Sequence, residues 1–186
     1  MPISIGVLGS EQLDNNGVGD LEDFAQLLPS MNYVTLGPGT GNVYMRGISS
    51  GGESILGSNP NVSVYMDEQP VTSTGFFLNP HIYDISRIET LAGPQGTLFG
   101  RNVSGGLISV ITRVPTAEPY RAFDFSYGNA GAIRVGGAVS GQLAENVFAS
   151  LSAVSSTRDG LTDNVVTGRD DGRLDSRSLR AKLRWQ

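Results

Sequence analysis

The sequence lacks cysteine altogether and has a single histidine, His81, among its 186 residues. It therefore offers no disulfide, no thiolate nucleophile and no cysteine-based zinc site, and its one histidine lacks the partners of an ordinary metal site. Basic residues are few, with 13 Lys and Arg against 18 Asp and Glu and a formal net charge of -5 at pH 7. This balance argues against a nucleic-acid partner, because phosphate-backbone binding relies on clustered cations.

Long apolar runs are also absent, since no stretch approaches the roughly 18 to 20 residues of a membrane-spanning helix. Residues 1–8 contain neither a basic region nor an apolar core followed by small residues, so no secretory signal is expected in this chain. Strands are then the expected route into any membrane, because a closed barrel also satisfies every backbone hydrogen bond there. The 25 glycines and the 39% hydrophobic content suit a turn-rich β protein.

Four blocks of sequence carry the strongest signal. The last, residues 91–106, reads Leu-Ala-Gly-Pro-Gln-Gly-Thr-Leu-Phe-Gly-Arg-Asn-Val-Ser-Gly-Gly and places a glycine-rich turn between two apolar runs. Residues 44–48, 62–67 and 84–89 precede it, reading Tyr-Met-Arg-Gly-Ile, Val-Ser-Val-Tyr-Met-Asp and Asp-Ile-Ser-Arg-Ile-Glu. Together and in this order, the blocks resemble the plug domain of TonB-dependent outer-membrane receptors.

The resemblance implies an α+β plug domain followed by antiparallel β-strands of an incomplete transmembrane β-barrel. The plug is expected over residues 1–116. Residues 117–186 are expected to supply about four strands of a receptor barrel that has roughly 22 strands in all. The signal peptide, the coupling segment upstream of the plug and most of the barrel are then expected to be missing from this chain.

Local patterns predict elements within the plug. Asp20 is a helix N-cap, and the apolar spacing that follows predicts a short amphipathic helix over residues 20–28. A strand is expected from Asn42 to Ile48, with Arg46 on the face opposite Val43. The next strand, residues 62–67, alternates apolar and polar residues, which predicts a half-buried strand that a hairpin turns back.

A third pair of strands is expected on either side of the glycine-rich turn, over residues 87–91 and 107–113, because apolar runs border the glycines there.

Residues 120–186 show long dyad alternation. Phe123, Phe125 and Tyr127 share one face, and on the last strand the apolar residues from Leu179 to Trp185 alternate with cations. Strands of about 10 residues with short turns on one side and longer loops on the other are typical of a transmembrane β-barrel. A soluble β-sandwich alternates similarly, but its strands usually run about 5 to 6 residues. In isolation these strands are expected to aggregate or to order poorly.

The resemblance also assigns candidate site residues. Arg46 and Gly47 match the arginine-glycine motif of the family, in which the arginine joins an ionic latch between plug and barrel wall. The glycine-rich signature is matched by Gly93, Pro94, Gln95, Gly96, Gly100, Arg101, Asn102, Gly105 and Gly106. The sequence departs from the family pattern at Ala92, where arginine is usual, and at Glu68, where glycine is common and where the glutamate makes a type I′ turn less favourable.

Two loops correspond to plug loops that face the outside and touch the ligand. They run from Ser49 to Asn61 and from Ser73 to Asn79. The ligand-facing candidates are Ser49, Ser50, Asn59, Phe76, Phe77 and Asn79.

The function that the resemblance implies is transport rather than catalysis. The plug is expected to gate energy-coupled import of a scarce nutrient complex, such as a ferric siderophore, across the outer membrane of a Gram-negative bacterium. The implied partners are outer-membrane lipid, the TonB energy-transducing protein and the nutrient complex, and no cofactor is expected. A soluble β-rich carbohydrate-binding module is the alternative. A hydrolytic enzyme is a weaker one, because Ser104 does not fit the nucleophile-elbow spacing.

Overall fold

The computed structural model describes residues 4–37, 40–49, 60–73, 76–77, 81–165 and 169–186. The chain forms two compact units, residues 1–112 and residues 113–186. The domain boundary expected after residue 116 falls in the segment that leads into the first strand of the second unit. No helix among the described residues is long and apolar enough to cross a membrane.

The first unit is an α+β domain built on a five-stranded sheet. Its elements are β1 Ser4–Gly9, α1 Ser10–Asn15, α2 Leu21–Gln26, β2 Met31–Gly37, β3 Thr40–Met45, β4 Ile48–Ser49, β5 Val62–Met66, β6 Gln69–Pro70, β7 Thr72–Ser73, β8 Phe76–Phe77, β9 Ile85–Ala92, α3 Gly96–Phe99 and β10 Gly106–Thr112. The main sheet has the order β1-β9-β10-β5-β6, in which only β10 and β5 run parallel. Strands β2, β3 and β4 form a second sheet, and β7 pairs with β8.

Helix α2 begins as the sequence predicts. The Asp20 carboxylate accepts hydrogen bonds from the backbone N–H groups of Glu22 and Asp23 at 2.9 and 3.1 Å, which satisfies two donors that the first turn leaves free. Asp23 reaches back past the cap and accepts from the backbone N–H of Gly19 at 2.9 Å. Helix α1 was not predicted, because it has only six residues and buries a single apolar side chain, Leu13.

The main core lies on one face of the five-stranded sheet, under the helices and β3. Its buried members are Leu13, Val18, Leu21, Phe24, Ala25, Met31, Val43, Met45, Val62, Val64, Ile82, Ile85, Ile88, Ile108 and Val110. A smaller cluster of Tyr65, Val103 and Leu107 lies on the other face. The prediction of a half-buried β5 is therefore wrong: residues 62–65 are buried on both faces, because the glycine-rich segment covers the side of the strand that alternation assigned to solvent.

The predicted strand from Asn42 to Ile48 is interrupted. Strand β3 ends at Met45, and β4 begins at Ile48, with these two residues paired across a two-residue turn. Arg46 and Gly47 form that turn with φ values of 51° and 78°, the left-handed pair of a type I′ hairpin. Arg46 therefore stands at the tip of a hairpin and not on the face of a strand, because Gly47 accepts a backbone angle that ends the strand.

The second unit is an open antiparallel sheet of four long strands in the order β11-β12-β13-β16. Its elements are β11 Tyr120–Tyr127, β12 Ile133–Ala144, β13 Val147–Arg158, β14 Thr162–Asn164, β15 Arg169–Asp171 and β16 Leu174–Trp185. Strands β14 and β15 make a separate small hairpin in the connection between β13 and β16. The predicted alternation is confirmed, since Phe123, Leu183 and Trp185 are 76%, 73% and 82% exposed on one face.

Candidate functional site

The Arg46-Gly47 turn is docked on the end of the glycine-rich segment. A Cβ atom built on Gly106 would lie 2.5 Å from Met45 Sδ and 2.8 Å from the Leu91 carbonyl oxygen, and one on Gly105 would lie 2.8 Å from Ile48 Cγ2. All three distances are shorter than real Cβ contacts, so the two glycines allow the hairpin to approach the backbone. The structure thus brings two of the four sequence blocks into direct contact.

Backbone hydrogen bonds close the glycine-rich segment into a loop. Gly93 N–H donates to the Gly105 carbonyl at 3.1 Å, and Gln95 N–H donates to the Val103 carbonyl at 3.0 Å. Gly105 N–H in turn donates to the Asn61 carbonyl at 2.7 Å. The loop that begins after β9 is therefore tied to its own end and to the residue that precedes β5.

Side chains of β5 hold the same loop from the other side. Ser63 Oγ donates to the Asn102 carbonyl at 2.6 Å, and Tyr65 Oη donates to the Phe99 carbonyl at 3.0 Å. The Tyr65 and Phe99 rings meet edge to face with centroids 5.5 Å apart. Sequence reasoning missed Ser63 and Tyr65 as site residues. Their alternation with the valines is the available signal, but the same alternation is typical of a row of side chains that faces solvent.

The remaining signature residues divide by their backbone role. Gly93, Gly100 and Asn102 have φ values of 106°, 79° and 68°, left-handed angles that favour glycine and asparagine. Gln95 is buried at 5% exposure and precedes α3. Pro94, Gly96 and Arg101 are exposed. The main role of the signature residues is therefore to set the backbone conformation of this loop.

The candidate latch residue lies at the surface of the plug unit. Arg46 is exposed, and its backbone N–H donates to the Ser30 carbonyl at 3.3 Å. The latch role assigned to its guanidinium stays a prediction. Ala92, where the family usually has arginine, is 6% exposed at the end of β9 and pairs with Gly106.

The ligand-facing candidates are only partly described. Ser49 lies in β4, and Phe76 and Phe77 form β8, which pairs with β7. Ser50, Asn59 and Asn79 lie outside the described residues. Their assignment to ligand binding stays a prediction.

The hairpin between β5 and β6 adopts a type I′ turn although Glu68 stands where glycine would favour it. Asp67 and Glu68 have φ values of 47° and 68°, and Tyr65 pairs with Pro70 across the turn. The Asp67 carboxylate accepts from the backbone N–H of Thr112 at 2.9 Å and from its hydroxyl at 2.7 Å. These bonds support a turn that the Glu68 side chain strains.

No group of three or more metal-ligating side chains occurs within the described ranges. The arrangement around residues 93–106 is instead one of close backbone approach and hydrogen-bonded loops. Such a site is suited to holding a loop in place on a sheet.

The comparisons with known proteins agree with the fold. The family model described as the TonB-dependent Receptor Plug Domain matches residues 1–107. The solved ferric yersiniabactin uptake receptor FyuA from Yersinia pestis is similar over 97% of this chain and 28% of its own, with 27% identity and a TM-score of 0.87. The chain is 28% identical to the pesticin receptor of Yersinia pestis over 171 residues, which are 91% of this chain and 25% of that protein.

A further relative is the iron-regulated outer membrane virulence protein of Vibrio cholerae (strain El Tor Inaba N16961), 31% identical over 121 residues, which are 60% of this chain and 17% of that protein. The chain thus spans about a quarter of the length of the pesticin receptor and of the solved receptor. Because the family model covers more than half of the chain, the chain belongs to the TonB-dependent receptor plug domain family.

Proposed function

We propose that this chain supplies the plug and about four barrel strands of an outer-membrane receptor. Its plug gates energy-coupled import of a scarce nutrient complex, such as a ferric siderophore. The observation that carries the proposal is the likeness to the ferric yersiniabactin uptake receptor over 97% of this chain, because the match includes the four long strands as well as the plug. In this proposal residues 1–116 form the plug domain and residues 117–186 the barrel strands.

The proposal makes the chain part of a transporter and not an enzyme. The family consists of receptors, and the relatives of this chain include a vitamin B12 transporter from Photobacterium profundum. A Gram-negative outer membrane is the proposed location, and lipid, TonB and the nutrient complex are the proposed partners of the whole receptor. A soluble carbohydrate-binding module would not present large apolar side chains such as Phe123 and Trp185 to solvent.

The apolar face of the four-stranded sheet supports a membrane location. On β11 the apolar residues Phe123, Phe125 and Tyr127 lie toward the C-terminal end of the strand, where the turn to β12 begins, and Arg121 lies near its N-terminal end. On β16 the charged residues lie at the end of the sheet where β11 is apolar. In the strand register, Asp175 is level with Tyr127 and Arg177 is level with Phe125. The apolar band therefore crosses the strands obliquely, as expected when strands are tilted about 35 to 45° in a bilayer.

The turns orient this band. Strands β12 and β13 are joined by a tight turn in which Ala144 pairs with Val147, whereas the β13 to β16 connection holds the extra β14-β15 hairpin. Short turns face the periplasm and longer loops face outward in outer-membrane barrels. Arg121 then lies toward the periplasmic side of the band, and the Asp175-Arg177 pair toward the outside.

We further propose that the guanidinium of Arg46 joins an ionic latch with acidic groups of the whole receptor. The exposed tip position of Arg46 leaves its side chain accessible to such a partner. Loss of one partner from a buried ion pair strongly destabilises a protein, because the other charge is left uncompensated. This property suits a latch that must release. The ligand-facing role of Ser49, Phe76 and Phe77 belongs to the same proposal, because β4 and β8 border the two loops.

A chimeric receptor tests the gating function. Residues 1–186 would replace the plug and first strands of the ferric yersiniabactin receptor, and growth on the ferric siderophore would be measured with and without TonB. A receptor whose plug is deleted serves as the open control, with sensitivity to a bulky antibiotic as the readout of leakage. We expect TonB-dependent growth and low leakage; leakage equal to that of the open control would refute a gating plug.

A further inference from the structure

The apolar face of the second unit contains a hollow beside an exposed arginine. The hollow has a volume of about 440 Å³ and is lined chiefly by Phe123, Val139 and Leu151, with Gly137 and Ala153 between them and Arg121 at one end. The lining therefore combines apolar walls with one cation.

The hollow exists because small residues occupy the middle of one row of side chains. Phe123 pairs with Gly137, and Gly137 pairs with Ala153, so two neighbouring strands contribute almost no side-chain volume there. A Cβ built on Gly137 would have no heavy atom nearer than 4.0 Å. The space above Gly137 is therefore open and can accept a larger side chain or a ligand chain.

Arg121 differs from the other cation on this face. Arg177 forms an ion pair with Asp175, with an Nε to Oδ1 distance of 3.4 Å. In the part of the chain that the structure describes, no ion pair or hydrogen bond of the Arg121 side chain is found, and the residue is exposed. A guanidinium beside an apolar hollow favours an anion supplied by the surroundings, and its long stem lets the charge reach a headgroup region.

We infer that the hollow binds one acyl chain of an anionic glycerophospholipid whose phosphate pairs with Arg121. The inference rests on the proposed membrane location, which puts Arg121 at the periplasmic edge of the band. Charge complementarity selects an anionic phospholipid, because its phosphate accepts the planar fork of an arginine and its headgroup, unlike that of phosphatidylcholine, has no cation beside the phosphate. The hydrocarbon chain fills a hollow that a free phosphate ion would leave empty.

Native mass spectrometry of the full chain in a neutral detergent tests the site. Phosphatidylglycerol is titrated against the chain, with phosphatidylcholine in parallel. Arg121→Gln should weaken phosphatidylglycerol retention about fivefold, the contribution of one cation near a charged headgroup. Gly137→Leu should weaken retention of both lipids, because the new side chain fills the hollow. Arg177→Gln is the matched control and should leave retention unchanged.

Retention of phosphatidylglycerol that is equal in the Arg121→Gln and Arg177→Gln variants would overturn the site. A separate readout tests the membrane location: Trp185, the one tryptophan of the sequence, is 82% exposed on the apolar face, and its emission should shift to the blue on phosphatidylcholine vesicles. No shift would refute the location and the lipid site together. A shift without an effect of Arg121→Gln would refute the lipid site alone.

Discussion

The Asp67 carboxylate accepts two hydrogen bonds from Thr112, one from its backbone N–H and one from its hydroxyl, at 2.9 and 2.7 Å. Asp67 is the first residue of the β5-β6 turn, and Thr112 is the fully buried last residue of β10. The Asp67 backbone N–H donates to the Val110 carbonyl at 3.0 Å. The pair therefore fixes a strained turn to the strand that ends the plug unit.

Removing the Thr112 hydroxyl should destabilise this connection. Thr112→Val keeps the shape of the side chain but loses the donor to a charged acceptor, at a cost of about 1.5 to 3 kcal/mol. Thr112→Ser is the control, because it keeps the hydroxyl and loses only a methyl group. Hydrogen exchange of the β5 and β10 amides measures both. A valine variant as well protected as the serine variant would contradict the role assigned to the hydroxyl.

Gly106→Ala should separate the hairpin from the glycine-rich loop. The new Cβ meets Met45 Sδ and the Leu91 carbonyl at a φ of 153°, and the combined strain and overpacking should cost about 2 to 5 kcal/mol. Gly96→Ala is matched to it, because a Cβ on Gly96 meets nothing within 4 Å. Chemical unfolding followed by circular dichroism compares the two. Equal midpoints would show that the close approach does not matter.

Glu68→Gly should stabilise the plug unit. Glycine removes left-handed strain of about 1 to 2 kcal/mol at a φ of 68°, offset in part by its greater freedom in the unfolded chain. Glu68→Ala removes the same carboxylate but keeps the strain, so it should not stabilise. The midpoint of thermal unfolding distinguishes them. If alanine stabilises as much as glycine, charge and not backbone strain limits this turn.

Arg46→Asn tests the latch without disturbing the turn. Asparagine tolerates the φ of 51° better than arginine does, so the unfolding midpoint of the chain should stay the same or rise. In the chimeric receptor, loss of the guanidinium should raise sensitivity to a bulky antibiotic. Wild-type antibiotic resistance in that variant would remove the latch role, and a lower midpoint would mean that the turn itself had changed.

The sequence alone was sufficient for the family, for strands β5, β9 and β10, and for the alternation of β11, β12 and β16. The signal in residues 93–106 depends on the backbone angles that glycine allows, and the signal in residues 179–185 depends on a period of two. Both are local properties of a chain. The N-cap at Asp20 was predicted for the same reason, because a cap involves only the next few residues.

The tertiary structure alone decided which faces are covered. The valines and the alternating Ser63 and Tyr65 of β5 have the pattern of a half-buried strand, yet the glycine-rich segment from far along the chain covers its second face. Likewise, the hairpin that carries Arg46 packs on Gly105 and Gly106, which lie far along the chain. Such contacts join residues distant in sequence, and neither periodicity nor local propensity contains them.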